Sequence, residues 1–169
     1  MPSQKTVVSL TTEPVEMDGV EPAAPPTELL PGRMWQGGMP VDFDWVADHR
    51  IDLVVDLSDA DSIAPAAPVA GMVYLKCPLV DAEVLPDATL VLGLAHLVAD
   101  LLRDGRRALV HCTFGRNRSG LLATLVVRET EGLSGAGALR RVQELRPGDV
   151  NNEVFADWVR SLPAPQPRP

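Results

Sequence analysis

The sequence predicts an α/β domain: a central, mainly parallel sheet flanked by helices, with an anion-cradling loop between the last central strand and a helix. Three observations carry that reading. The runs "IDLVVDLS", "GMVYLKCPLV" and "RRALVHC" are short, apolar and rich in β-branched residues, as buried strands are. Segments with helical periodicity lie around and between them, and strands separated by helices imply a parallel sheet covered on both faces. The last strand runs directly into "HCTFGRNRSG", a glycine- and arginine-bearing loop followed by another helical pattern. In such sheets ligands bind beyond the carboxyl ends of the strands, which brings the loops 57–70, 79–86 and 112–118 to one edge.

Each element has its own signal. Residues 1–29 form an acidic, proline-rich stretch without sustained periodicity and read as a flexible tail. The folded domain is expected over 30–162, and the proline-rich end 163–169 reads as disordered. "GRMWQGG" is a short candidate edge strand bounded by glycines. "VDFDWVADHR" places Val41, Trp45 and Val46 on one helical stripe. In "LPDATLVLGLAHLVADLLRDG", Leu90, Leu94, Leu97 and Leu101 recur at helical spacing, with Asp87 to cap the start and Gly105 to end it. "SGLLATLVVRET", "SGAGALRRVQELRP" and "NNEVFADWVRSL" are three further helices, the second capped by Ser134 and stopped by Pro147. Arg106 and Arg107 begin the strand that ends at His111. They should lie roughly 13–17 Å from Cys112, facing solvent at the opposite edge.

Composition bounds the partners. The 169 residues suffice for one ordinary domain, and the net charge is −8. That field disfavours loose binding to nucleic acid or anionic membranes, so an anionic ligand must be held by local donors. The longest apolar run, Ala88–Ala99, is too short to span a bilayer. No secretory signal is visible, and two cysteines, Cys77 and Cys112, make no disulfide framework; a cytoplasmic setting is expected. The spacing of His49 and His96 offers no metal site, and no cofactor is called for. Cys77 reads as a core thiol, and Asp56, Asp59 and Asp61 as solvated loop acids near the pocket mouth.

The loop residues have a chemical logic. Backbone N–H groups that converge before a helix N-terminus bind phosphate. Gly115 permits the positive φ that a tight ring of amides requires, and Arg118 offers a planar, two-pronged donor. Helix N-termini and cationic neighbours lower a free thiol from near 8.5 to roughly 3.5–7.5, so the same cradle would favour a thiolate at Cys112. A thiolate there can attack phosphorus and form a phosphocysteine that water hydrolyses.

His111, Cys112, Gly115, Arg118, Ser119 and Gly120 together resemble the signature loop of the cysteine-dependent protein tyrosine phosphatases, and the small size resembles their dual-specificity branch. "LLPGRMWQGG" and "RPGDVNNEVF" are similar to that branch's opening strand and closing turn. The resemblance implies Cys112 as nucleophile and Arg118 as phosphate clamp. Thr113, Phe114, Gly115, Arg116 and Asn117 would supply loop amides. Ser119 would donate a hydrogen bond to the sulfur and help it leave, and His111 would brace the loop and help keep the thiol ionised. The family also places an acid in the loop after the preceding strand; Asp81 lies there, with Asp87 and Glu83 as competitors. Some relatives protect an oxidised nucleophile with a second cysteine, which would be Cys77.

The expected activity is therefore metal-independent hydrolysis of phosphomonoesters, on a phosphorylated protein or another phosphomonoester. Asn117 before the arginine is similar to metal-independent RNA 5'-triphosphatases of the same superfamily, and only in that role would nucleic acid be a partner. Phosphoinositides, small metabolites and a non-catalytic phosphate-binding module remain alternatives. Oligomeric state has no signal.

Overall fold

Strands of four residues in which nearly every side chain is apolar must be covered on both faces, and the chain achieves this with one sheet between unequal helical layers. The structure, a computed structural model, describes residues 25–40, 44–62 and 71–166. Its strands are β1 (Thr27–Leu30), β2 (Met34–Gly37), β3 (Leu53–Asp56), β4 (Val73–Lys76) and β5 (Ala108–His111), arranged β1-β2-β5-β3-β4. β2, β5, β3 and β4 are parallel, and β1 pairs antiparallel with β2. Every residue of β2, β3 and β5 is buried, as the continuous apolar runs require.

Two sequence expectations change here. Among the described residues the first strand starts at Thr27, inside the stretch read as tail, because "TELL" supplies the antiparallel partner of β2 and buries Leu29 and Leu30. For the same reason "MWQG" is an inner strand and not an edge. At the other end, Arg128 Nε donates to the Pro163 carbonyl at 2.8 Å, which ties the chain one residue past the expected boundary. Val41 and positions 63–70 lie outside the described residues.

The helices are α1 (Asp44–Asp48), α2 (Ala88–Arg103), α3 (Arg118–Glu131), α4 (Gly135–Leu145) and α5 (Glu153–Ser161). α3 is buried over Arg118–Glu129, the behaviour of a helix enclosed by neighbours. It packs against α2 and α4 and anchors the larger core, which includes Val110, Leu122, Leu125 and Phe155. The smaller core lies on the opposite sheet face, where Trp35, Val46, Val54 and Leu109 meet beneath α1. There His49 stacks on Trp45 at 4.0 Å, and the Arg107 guanidinium lies 5.0 Å from the Trp35 ring centroid. Arg107 is thus half-buried and engaged at the edge away from the loop, while Arg106 pairs with Asp52.

Caps follow the sequence closely. Asp87 accepts from the Leu90 amide, Ser134 from Gly137, and Asn152 from Val154 and Phe155. The leucine stripe of α2 is a different matter. The residues facing the core are Val91, Ala95, Val98, Ala99 and Leu102, whereas Leu90 and Leu97 are exposed. Both stripes are apolar, so leucine spacing alone does not select the inner one. Among the described residues no helix is long and apolar enough to cross a membrane.

Candidate active site

Parallel register places four strand ends in one row: Gly37 beside His111, His111 beside Asp56, and Asp56 beside Lys76. The segments that leave those ends share the carboxyl edge. The segment after β5 is the short loop 113–117, which leads into α3.

That loop curls because Gly115 lets it. Gly115 has φ +75°, and a Cβ there would fall 2.1 Å from Gly38 N and 2.3 Å from Gly37 C. No other residue type combines that conformation with that approach. The Met39 amide donates to Thr113 O at 3.1 Å, and Arg146 NH2 donates to Gly115 O at 2.7 Å, so both flanks are tied. Cys112 is buried at the base of the loop. Its Sγ accepts from the Gly115 amide at 3.3 Å and lies 3.3 Å from Ser119 Oγ. The structure therefore brings Cys112, Gly115 and Ser119 together as the sequence predicts. Phe114 is half exposed on the outer side of the curl.

Arg118, the first residue of α3, is buried but not idle. One terminal nitrogen donates to Asp59 Oδ1 at 2.8 Å and Leu79 O at 3.3 Å, the other to Thr113 Oγ1 at 3.0 Å. Its Nε is buried without a partner among the described residues. Asp59 is 62% exposed, so solvent weakens this ion pair, yet an arriving anion must share the guanidinium with it.

Asp81 stands on the rim, with its carboxylate held at both oxygens: Asn117 Nδ2 donates at 3.1 Å and Asn152 Nδ2 at 3.0 Å. Asn117 Oδ1 in turn accepts from the Asn152 amide at 2.9 Å. The loop, the Asp81 segment and the start of α5 are thereby fixed to one another. A cavity of about 650 Å³ opens beside them, lined by Asp81, Glu83, Asn117, Asn152 and Val154. Asp87 is occupied as the α2 cap, and Glu83 is exposed. Asn152 had no assigned part in the sequence reading, and Asp59 only that of a solvated acid near the pocket mouth; a cap residue and a loop acid carry no local mark of their second role.

Behind the sheet edge, one expectation is corrected. Asp59 and Asp61 are exposed as loop acids should be, but Asp56 is 1% exposed. As the last residue of β3 it points into the α1 side of the sheet and accepts from Ser58, from Tyr74 OH at 2.6 Å and from Lys76 Nζ at 2.9 Å. Burial works to raise its pKa, and the bonds from Ser58, Tyr74 and Lys76 outweigh it, holding the carboxyl at about 2. Tyr74 is pushed upward, first by burial and then by its bond to Asp56. Because the folded value of Asp56 lies below its ordinary 3.8, its stabilisation is present above that value and lost as pH falls through about 2. Urea unfolding should show roughly 2 kcal/mol of acid-dependent loss from this one group. Asp56→Asn should flatten that slope and lower stability at neutral pH.

His111 is fully buried, and its Nδ1 lies 3.9 Å from Asp56 Oδ1. Burial lowers its pKa against the opposing charge of Asp56. Cys77 packs against the larger core, and burial pushes its thiol up.

No family model matches the chain. It is 28% identical over 139 residues to dual specificity protein phosphatase 12 of Rattus norvegicus, a match covering 80% of this chain and 40% of that relative's length. The crystal structure of human DUSP28 superposes with a TM-score of 0.70 at 24% identity, covering 83% of this chain and 93% of that one. That of Tk-PTP in the active form gives 0.67 at 25% identity, covering 80% and 95%.

Proposed function

We propose that this chain, similar to dual specificity protein phosphatase 12 and sharing the fold of solved dual-specificity phosphatases, is a phosphatase of that kind and hydrolyses phosphomonoesters through a phosphocysteine, most readily on phosphorylated protein side chains. One observation carries this reading. Cys112 Sγ, the Gly115 amide, Ser119 Oγ and the Arg118 guanidinium converge on a single loop between a parallel strand and a helix.

In the first step the thiolate of Cys112 attacks phosphorus in line, and the bond to the leaving oxygen breaks. The three equatorial oxygens gain charge, which the loop amides of residues 113–117 and Arg118 are placed to stabilise. The leaving oxygen takes the electron pair and a proton from Asp81. In the second step Asp81 accepts a proton from water as the water oxygen attacks phosphorus. The S–P bond breaks, the sulfur leaves with the electron pair, and inorganic phosphate departs. Ser119 is the hydroxyl that stabilises the departing sulfur.

Asn117 supports this reading over the RNA 5'-triphosphatase alternative. Its side chain is spent on Asp81 and on the α5 start, which accounts for the residue without an RNA-specific role. An anhydride leaving group needs little protonation, whereas an ester leaving group gains from an acid held in place. Asp81→Asn should lower kcat on a phosphotyrosine peptide by about 10²–10⁴-fold and flatten the alkaline limb of its pH profile. An activated aryl phosphate should lose far less. The deciding panel compares phosphotyrosine and phosphothreonine peptides, phosphoinositides and triphosphate-ended RNA by kcat/KM in chelator. Preference for the RNA, with Asp81→Asn silent, would overturn the assignment.

A further inference from the structure

Gln36 is the third residue of β2, fully buried in a strand whose other members are apolar or glycine. A buried amide is costly unless it is paired. Its Nε2 carries two protons, and three acceptors share them: Ser119 Oγ lies at 3.0 Å, Gly115 O at 3.1 Å and Asp149 Oδ1 at 3.2 Å. Its Oε1, by contrast, is buried with no partner among the described residues. Leaving such an acceptor unmade is costly, so something enforces the amide's orientation.

Asp149 is that something. It is 2% exposed, in the turn after α4, and its Oδ1 also receives Arg146 Nε at 3.4 Å. An ionised carboxylate can only accept, so it draws the NH₂ end of Gln36 towards itself and the loop. Room for the carboxylate comes from Gly120, where a Cβ would sit 2.7 Å from Asp149 Oδ2. The desolvation is real: burial pushes Asp149 up to about 6 against the charges of Arg146 and Arg116 and the bond from Gln36.

The consequence falls on the sulfur. A serine hydroxyl has one proton. With Gln36 donating into a lone pair of Ser119 Oγ, that proton is free to point at Cys112 Sγ, 3.3 Å away. We propose that Gln36, oriented by Asp149, is a positioning residue that aims the Ser119 hydroxyl at the Cys112 sulfur and steadies the Gly115 carbonyl of the loop. The inference rests on the phosphatase reading above and adds a residue pair to it. Among the described residues, the other charged or titratable groups that contact the loop or its base are His111, Arg118, Asp59 and Asp81, with Arg146 on the Gly115 carbonyl and Arg116 in the loop itself.

The test reads the sulfur directly. The rate of Cys112 alkylation by iodoacetamide is followed across pH in the full chain, alongside steady-state turnover of an aryl phosphate. Gln36→Leu, which keeps the volume and removes the amide, should move the alkylation midpoint up by about one pH unit. It should also lower kcat more than kcat/KM, because loss of the sulfur from phosphocysteine slows. In a Ser119→Ala background the same change should add nothing further. Asp149→Asn, a near-isosteric change that lets the Gln36 amide turn, should shift the midpoint in the same direction and provides the reading if Gln36→Leu unfolds. Unmoved midpoints in both variants, or equal shifts with and without Ser119, would overturn the link while the phosphatase reading stands. A wild-type midpoint in the ordinary thiol range would remove both.

Discussion

Cys112→Ser is expected to lose turnover of any phosphomonoester by on the order of 10⁴–10⁶-fold, the scale on which removing a hydrolase nucleophile acts. Affinity for inorganic phosphate, which the cradle holds without a bond to sulfur, should change by less than about tenfold. The two readouts separate because the sulfur and the cradle are different parts of the loop. The curl is set by Gly115 against Gly37 and Gly38, by Met39 on Thr113 and by Arg146 on Gly115 O, none of which needs the thiol. A serine oxygen fits the same space, already lined by the Gly115 amide and Ser119, but it stays protonated at neutral pH. Isothermal titration with inorganic phosphate beside an aryl phosphate assay checks both halves. A variant that keeps turnover would place the chemistry elsewhere.

Arg118→Lys should cost about 10³-fold or more in kcat/KM, the range seen when an arginine that stabilises transferring phosphoryl groups is lost. The structure explains why lysine cannot substitute. The guanidinium is held by Asp59 and Leu79 on one nitrogen and by Thr113 on another, so its plane is preset, and its buried Nε has no partner among the described residues. Lysine would bring a single point charge on a flexible stem and could not hold those partners and two phosphate oxygens at once. The loss should fall mostly on kcat, since charge on the equatorial oxygens grows towards the transition state. Alkylation of Cys112 should still proceed. Steady-state kinetics on an aryl phosphate, with thermal unfolding to confirm the fold, reads this directly.

The parts legible in the sequence were those whose cause is local. A short apolar run, a glycine that must turn and an arginine six residues after a cysteine all announce themselves within fourteen letters, residues 107–120. The caps Asp87, Ser134 and the helix stops were legible for the same reason. The place of Asp81 on the rim followed from topology, since a loop after a parallel strand has only one edge to reach.

What escaped was set by contacts between distant segments. Gln36 and Asp149 meet across 113 positions, and nothing near either residue marks a buried polar pair. Asp56 reads as the start of a loop, yet the register with His111 and Lys76 makes it the end of a buried row. β1 hid in a proline-rich stretch because four residues, "TELL", are too few to show a period. On α2 two neighbouring apolar stripes competed, and the one with smaller residues won because α3 packs closely against it.

The central claim is a covalent bond between Cys112 and a phosphoryl group. Rapid acid quench during turnover of an aryl phosphate by the Asp81→Asn protein, followed by peptide mass spectrometry, tests it most directly. The account predicts one phosphoryl group on the peptide containing Cys112, absent from Cys112→Ser. Phosphate release at an undiminished rate with that peptide never modified, or with the label on another residue, would contradict it.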